Sequence, residues 1–340
     1  MKAVIISEAN NLRVDEVADP TPGPGEVRVA MEYGGICGSD IAYWKSGISG
    51  TAVLREPLIL GHEVAGRIDA LGEGVEDWRI GQAVTFNPAT LVGDHEVPEE
   101  LADRTNLWPE VRYFGSAAFL PHEQGGFSTY RVVRAEQLRA IPEGVSTREA
   151  AAAEPAGVAF HAVSRAGDLS GKRVLVNGVG PIGLLVVAAA KFRGAGEIWA
   201  ADLADSSLEI AARMGADHTV NASREELPSD FEVVFDASGA PAAIGGLLLA
   251  TRRGGTLVQV GNLPGQAAQF DLGQLVTREI TWIGSYRFID EVTEALEAMA
   301  QGMDVTPLLT HEFPIEQAEE AFATAADRAT GSSKVLLKLD

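Results

Sequence analysis

At 340 residues, with 46% apolar and 22% charged side chains, the chain is long enough for about two globular domains and too apolar to remain disordered. The 48 Asp and Glu against 27 Lys and Arg leave a formal charge of −21, a field that repels phosphate backbones and anionic surfaces and excludes nucleic acid as a partner. A single cysteine rules out an internal disulfide, the most apolar windows fall well short of the roughly 20 residues of a membrane span, and the start Met1-Lys2-Ala3-Val4-Ile5-Ile6 lacks a signal-peptide pattern, so a cytoplasmic protein without a membrane partner is expected.

Residues 1 to about 35 alternate apolar and polar positions, with Pro20, Pro22, Gly23, Pro24 and Gly25 as punctuation, which predicts short strands joined by tight turns. The pattern continues over 63–68 and 81–86, and strands at that spacing predict a small β-barrel-like domain. Within it, Gly34-Gly35-Ile36-Cys37-Gly38-Ser39-Asp40 and Gly61-His62-Glu63 put the one cysteine upstream of a His-Glu pair. A thiolate, an imidazole and a carboxylate suit Zn²⁺, and three protein ligands leave a fourth position for substrate. On these residues alone, a small buried apolar cysteine and a hydrogen-bonded turn are the alternative.

Residues 87–112 are acidic and weakly periodic, and read as a surface excursion. Asp94, His95 and Glu96 could touch a metal, but adjacent residues on a loop usually point apart, so a solvated acidic face is expected there. From Arg112 to Phe127 aromatics mix with glycine, a composition that suits a pocket wall or a buried turn. A helix starts near Thr147 and runs into Glu154-Pro155. Strands over 173–176, 197–201, 231–235 and 256–260 then alternate with helices over 182–192, 207–214 and 240–250, which implies a parallel sheet covered by helices on both faces. The remainder reads as a strand near 283–287, helices over 290–300 and 315–326, and a last strand over 334–339 that returns to the first domain.

Gly178-Val179-Gly180-Pro181-Ile182-Gly183 follows an apolar strand and opens an apolar helix, the context in which glycines permit a tight turn and close approach of a pyrophosphate. Pro181 sits where a new helix can do without an N–H. Asp202 ends the next strand, where a carboxylate can accept from both hydroxyls of an adenosine ribose. Leu203, Ser206 and Ser207 supply no cation for a 2′-phosphate, so NAD is expected rather than NADP. A nucleotide-free α/β domain or an adenosyl-cofactor site are the alternatives, and Gly261 is either a nicotinamide-side turn or a plain strand end.

The Cys37 motif, Gly61-His62-Glu63, Glu154-Pro155 and Gly178 to Gly183, in this order, resemble the zinc-dependent medium-chain dehydrogenase/reductase family along nearly the whole chain. Gly35 to Asp40, Arg112 to Ala117, Phe119-Leu120-Pro121-His122 with Gly125-Gly126-Phe127, and Gly284 to Phe288 resemble its L-idonate 5-dehydrogenase and sorbitol dehydrogenase-like branch. The resemblance implies an α/β protein: a GroES-like, mostly-β catalytic domain of residues 1–145 and 280–340, and a doubly wound, parallel-sheet Rossmann domain of residues 146–279 that binds NAD. It implies Cys37, His62 and Glu154 as ligands of one catalytic zinc, with Glu63 behind them or exchanging in. Ser39 would be the proton relay, Tyr43, Phe114, Tyr286 and Arg287 would line the substrate pocket, and Gly178 to Gly183, Asp202, Val260, Gly261, Asn262 and Ser285 would face the cofactor.

The implied reaction passes a hydride from a secondary alcohol of a sugar acid to NAD, with L-idonate the leading substrate and sorbitol or xylitol the alternatives. A homodimer or homotetramer is implied as well. A dinucleotide-binding protein without turnover is the reading from another class, and the joint presence of Cys37, His62 and Glu154 argues against it. Two departures from the family matter. No cysteines occupy 87–112, so no structural zinc is expected, and Ala42 stands where an outer relay histidine is common.

Overall fold

Alternation of apolar and polar residues in the first third of the chain does produce strands in the structure, a computed structural model that describes residues 1–93 and 96–340. In Glu26–Gly35 the side chains of Val27, Val29 and Met31 all point inward and are at most 1% exposed. Burial of each such side chain contributes about 1.5–3 kcal/mol. This strand is the spine of a seven-stranded sheet, flanked on one edge by Glu63–Leu71 and on the other by Tyr130–Arg134 and Lys334–Lys338. Ala83–Phe86 and Leu138–Ala140 extend one side, and Leu309–Pro314 the other. A second sheet, Leu12–Glu16, Lys2–Ile6 and Leu58–Ile59, shares the core with Phe127 and Phe322. The acidic excursion contains a short hairpin, Ala89–Leu91 with Val111–Tyr113. Glu96 is exposed, as expected of a solvated face, while Asp94 and His95 lie outside the described residues.

The β-α alternation forms six parallel strands in the spatial order His218–Asn221, Glu197–Asp202, Arg173–Asn177, Phe231–Asp236, Thr251–Gln259, Thr281–Gly284. In chain order that is 3-2-1-4-5-6, so the winding direction reverses between Arg173–Asn177 and Phe231–Asp236. Val174, Leu175 and Val176 are all fully buried, as in strands covered on both faces. The helix Pro181–Phe192 is buried from Gly183 to Ala190.

The chain divides into Met1–Glu154 with Leu309–Asp340, and Pro155–Leu308. The edges expected at 145/146 and 279/280 therefore lie elsewhere. Residues 280–308 belong to the parallel-sheet unit because Thr281–Gly284 adds to it as a sixth strand, Leu257 opposite Trp282, and His161 Nδ1 lies 2.6 Å from Glu291 Oε1 at the start of Glu291–Ala300. Among the described residues no helix is long and apolar enough to cross a membrane.

Candidate functional site

In the first unit, strand Glu26–Gly35 ends one residue before Ile36, and Cys37 precedes helix Gly38–Ser46. Asp40, in the first turn of that helix, accepts the Cys37 N–H at 2.9 Å and, through its other oxygen, the Gly61 N–H at 3.2 Å. One buried carboxylate thus pins the Cys37 turn to the His62 turn. Strand pairing sets Gly35 opposite Glu63, and a Cβ on Gly35 would fall 2.5 Å from Glu63 Oε2, so this position has room only for glycine. Donor atoms of Cys37, His62 and Glu63 consequently lie within 4.8 Å of one another.

Lys334, 2% exposed, opens the last strand beside them: its Nζ is 2.8 Å from Glu63 Oε1, 2.6 Å from Oε2 and 3.2 Å from the Ile36 carbonyl. The closer oxygen, Oε2, is outside hydrogen-bonding alignment and keeps its lone pairs for another cation. Glu154 is buried in the same unit and accepts the Tyr113 hydroxyl at 2.6 Å.

Burial pushes the Asp40 and Glu154 carboxyls above their usual range, opposed in each case by His62. Burial alone would lower His62, but the Cys37 thiolate and the hydrogen bond to it, with Asp40 and Glu154, hold it well above the ordinary histidine value. Lys334 behaves in the same way: burial lowers it, and Glu63 and Cys37 together raise it. Three buried carboxyl groups and the Cys37 thiol share this region with the Lys334 ammonium and the His62 imidazole, an acid-rich cluster in low dielectric that a bound cation would neutralise. The thiolate, imidazole and carboxylate donors fit zinc.

The tight donor set is therefore Cys37, His62 and Glu63, with Glu154 turned onto Tyr113, whereas the sequence resemblance put Glu154 foremost and Glu63 behind. Strand register fixes Glu63; Glu154 arrives on a helix start and has its own hydroxyl partner. Ser39 is half-buried in the first helical turn. Tyr43 and Phe114, expected in a pocket wall, are 3% and 2% exposed and belong to the hydrophobic core. The Tyr43 hydroxyl accepts the Ala117 N–H at 3.0 Å, and Phe114 packs against Phe86 beneath the Arg131 guanidinium. The aromatic-glycine stretch is a braced turn: His122 Nε2 accepts the Arg55 N–H, and Arg112 donates to the Leu120 and Pro121 carbonyls.

In the second unit, Gly178 has φ +81°, and a Cβ there would stand 2.6 Å from the Ser238 nitrogen; one on Gly183 would stand 2.0 Å from the Gly178 oxygen. A Cβ on Gly180 would meet nothing within 4 Å, so the loop is open on the side where helix Pro181–Phe192 presents its first N–H groups, a cradle for a pyrophosphate. Asp236, fully buried, ties three strand ends together by accepting from Asn177 Nδ2 at 2.9 Å, Ser238 Oγ at 2.6 Å and Gln259 Nε2 at 2.6 Å. Asp202 Oδ2 accepts the Val179 N–H at 2.8 Å, and Oδ1 accepts the Leu203 N–H at 2.7 Å, which sets the carboxylate beside the glycine loop.

Val260 and Gly261 follow the fifth strand with both N–H groups on the Asp236 carbonyl, and Asn262 continues that turn, its carbonyl 2.3 Å from where a Cβ on Gly239 would be. Ser285 Oγ and Gln259 Oε1 are buried without partners among the described residues, as at a site completed by a ligand. Tyr286 is 51% exposed, and Arg287, at φ +50°, places its guanidinium 5.1 Å over the Tyr286 ring.

Sequence reasoning missed Asp40, Tyr113 and Lys334. The Asp three residues after Cys37 was a capping signal, and a lysine opening an otherwise apolar strand was a weaker one; Tyr113 carried only its place in the aromatic-glycine stretch. It also missed a cation near Asp202: Arg224, from the following β-unit, forks onto Asp205.

Residues 23–143 match the alcohol dehydrogenase GroES-like domain, and residues 181–301 the zinc-binding dehydrogenase domain. The chain is 38% identical over 316 residues to an L-idonate 5-dehydrogenase (NAD(P)(+)) of Escherichia coli, covering 91% of this chain and 90% of that one. It is 35% identical to the sorbitol dehydrogenase of Gallus gallus, covering 99% and 96%. The crystal structure of the Escherichia coli L-idonate 5-dehydrogenase superposes with a TM-score of 0.93 at 36% identity, over 99% of this chain and 98% of that one.

Proposed function

Because the chain belongs to the zinc-dependent medium-chain dehydrogenase family, with its GroES-like and Rossmann domains, and is an oxidoreductase of small molecules, we propose that its substrate is a sugar acid oxidised at a secondary alcohol, L-idonate to 5-keto-D-gluconate being the leading pair. NAD is the preferred cofactor, and one catalytic zinc is held per chain. The observation that carries the metal chemistry is the buried excess of carboxyl and thiol groups around Cys37, His62, Glu63 and Glu154. When bound, zinc supplies a Lewis acid to the substrate hydroxyl and NAD⁺ an acceptor for the hydride.

The chain's own residues do the rest. Asp40 keeps Cys37 and His62 at one place, and Lys334 pairs with Glu63. Ser39 takes the hydroxyl proton outward; since Ala42 offers no acceptor, the next carrier is water, the cofactor ribose or another side chain. Asp202 accepts from the ribose hydroxyls, while Val260, Gly261, Asn262 and Ser285 border the nicotinamide end. Arg287 pairs with the substrate carboxylate, with Tyr286 beside it, and Tyr43 and Phe114 back the site from the core. The sugar-acid reading is supported by the L-idonate enzyme's similarity over nine-tenths of both chains. A polyol such as sorbitol or xylitol is the second reading, supported by the sorbitol dehydrogenase likeness. Assembly as a homodimer or homotetramer goes with either.

The test is NADH formation by the zinc-loaded enzyme over a panel of aldonates and polyols. L-idonate is expected to give a kcat/KM at least roughly tenfold above sorbitol and xylitol, about 1.4 kcal/mol in the transition state. A neutral polyol as the best substrate would overturn the acid reading.

A further inference from the structure

The turn Leu203–Asp205 carries no cation of its own, yet one stands against it. Strand pairing sets Asp202 opposite Asn221, so the turns leaving these two strands run side by side. Asn221, 2% exposed, donates through Nδ2 to the Leu203 carbonyl at 3.2 Å and to Asp205 Oδ1 at 2.8 Å, while its Oδ1 accepts from Ser223. Arg224 then presents its fork to Asp205, Nη2 2.7 Å from Oδ1 and Nη1 3.0 Å from Oδ2. Glu225 Oε1 lies 4.0 Å from Arg224 Nε and accepts the Asn221 N–H.

A 2′-phosphate on the adenosine ribose would arrive at this turn with two negative charges beside Asp202. Arginine is the side chain best shaped to receive it, through two charge-assisted bonds. Here Asp205 already occupies both arms of that fork. Both partners are more than half exposed, so the pair is loosened by solvent and salt and Arg224 is restrained, not buried.

We infer that Asp205 is a cofactor-selectivity residue: by engaging Arg224 it withholds the guanidinium that borders the ribose turn from a 2′-phosphate, adding to the rejection that Asp202 exerts directly. The inference rests on the reading of Asp202 as the ribose-binding carboxylate. The bond network agrees with it, since Arg224 and Asn221 hold Asp205 below its usual carboxylate range and Asp205 in turn raises Arg224. A plain staple between two turns would need only Asn221, which already reaches both Leu203 and Asp205.

The experiment measures dissociation constants of the zinc-loaded, full-length protein for NADH and NADPH by nucleotide fluorescence, and for 5′-ADP and 2′,5′-ADP by calorimetry. Asp205→Asn keeps an acceptor for Asn221 and removes the charge. It is expected to shift the NADPH-to-NADH affinity ratio toward NADPH by roughly tenfold, the size of one charge-assisted hydrogen bond, with the 2′,5′-ADP ratio moving in parallel. Arg224→Ala added to that background should abolish the gain. Asp205→Ser is measured alongside, so that misfolding of one variant does not decide the result. An unchanged ratio in a folded Asp205 variant, or a gain that survives Arg224→Ala, overturns the inference. Equal wild-type affinity for NADH and NADPH would instead refute the ribose reading of Asp202, which the variant ratios do not test.

Discussion

Lys334 Nζ lies 2.6 Å from Glu63 Oε2, so the last strand of the chain delivers a buried ammonium to the cluster of Cys37, His62 and Glu63 that could hold a metal ion. Glu63 is 1% exposed, and no solvent can take over if the lysine is lost. Breaking one side of a buried pair costs about 3–5 kcal/mol, because the remaining charge stays desolvated. Lys334→Met in the zinc-free protein should therefore lower unfolding free energy by about that amount, read from urea titration. The same variant with zinc bound should recover part of the loss, because the cation then faces Glu63. A zinc-free Lys334→Met protein as stable as the parent would show that the pair does not set the charge balance of the site.

The metal content follows from the donor inventory. Cys37 is the only cysteine, and its turn meets His62-Glu63, one of four His-Glu pairs in the sequence. Elemental analysis should give one zinc per chain, falling to less than about a tenth in Cys37→Ser, since a hydroxyl replaces the softest of the donors. Two tightly held zincs, or full metal occupancy in the variant, would contradict the single-site reading.

The parallel-sheet unit was legible because its signals are local: glycines at 178, 180 and 183 between an apolar strand and an apolar helix need no tertiary knowledge. Cys37, His62 and Glu63 stood out because few residue types bind zinc. Lys334 did not, since it sits 271 residues from Glu63 and meets it only through the register that sets Leu336 against Gly35. The unit boundary failed at Thr281–Gly284 because four residues do not reveal which sheet they will join. Tyr43 and Phe114 were assigned to the pocket by the family resemblance, which does not carry how deeply each ring is buried; both are core residues here. Arg224 was invisible from the Asp202 turn since it belongs to the next strand's exit.

Helix Ala153–Arg165, which begins with the Glu154 turn, is held in the second unit by His161 against Glu291 at 2.6 Å. Burial tends to raise the Glu291 carboxyl, but the His161 hydrogen bond and the Ile289 N–H outweigh it and bring it below the usual 4.5. A carboxyl whose folded value is depressed binds its proton more readily when unfolded. Its stabilisation is thus complete above the unfolded value and disappears as pH falls through the folded one. Urea midpoints of the wild type should decline between about pH 5 and pH 3, and Glu291→Gln should flatten part of that decline while lowering the plateau at neutral pH. Glu294, raised by burial and by the Glu291 charge and paired with Arg193, relaxes toward its usual range in Glu291→Gln, so Glu294→Gln is titrated alongside as the control. An identical acid limb in the two proteins would remove the brace from the account.

The role proposed for Arg287 separates the acid reading from the polyol reading. In a chain of charge −21 an arginine beside the substrate would be a local positive charge, and Arg287 stands at φ +50° with its guanidinium over the Tyr286 ring. Its planar fork can hold a carboxylate by two parallel charge-assisted bonds, a geometry that lysine does not reproduce. A polyol offers only neutral hydroxyls to the same fork, without the opposite charge or the paired-oxygen geometry of a carboxylate. Arg287→Lys and Arg287→Ala should therefore lower kcat/KM for L-idonate by roughly 10²-fold, about 2.7 kcal/mol, and for sorbitol or xylitol by less than about tenfold. The loss for the acid should lie mostly in KM, because the carboxylate is far from the reacting carbon and is gripped equally before and during hydride transfer. Equal losses for acid and polyol would mean that Arg287 serves hydroxyls or water, and would return the enzyme to the polyol reading.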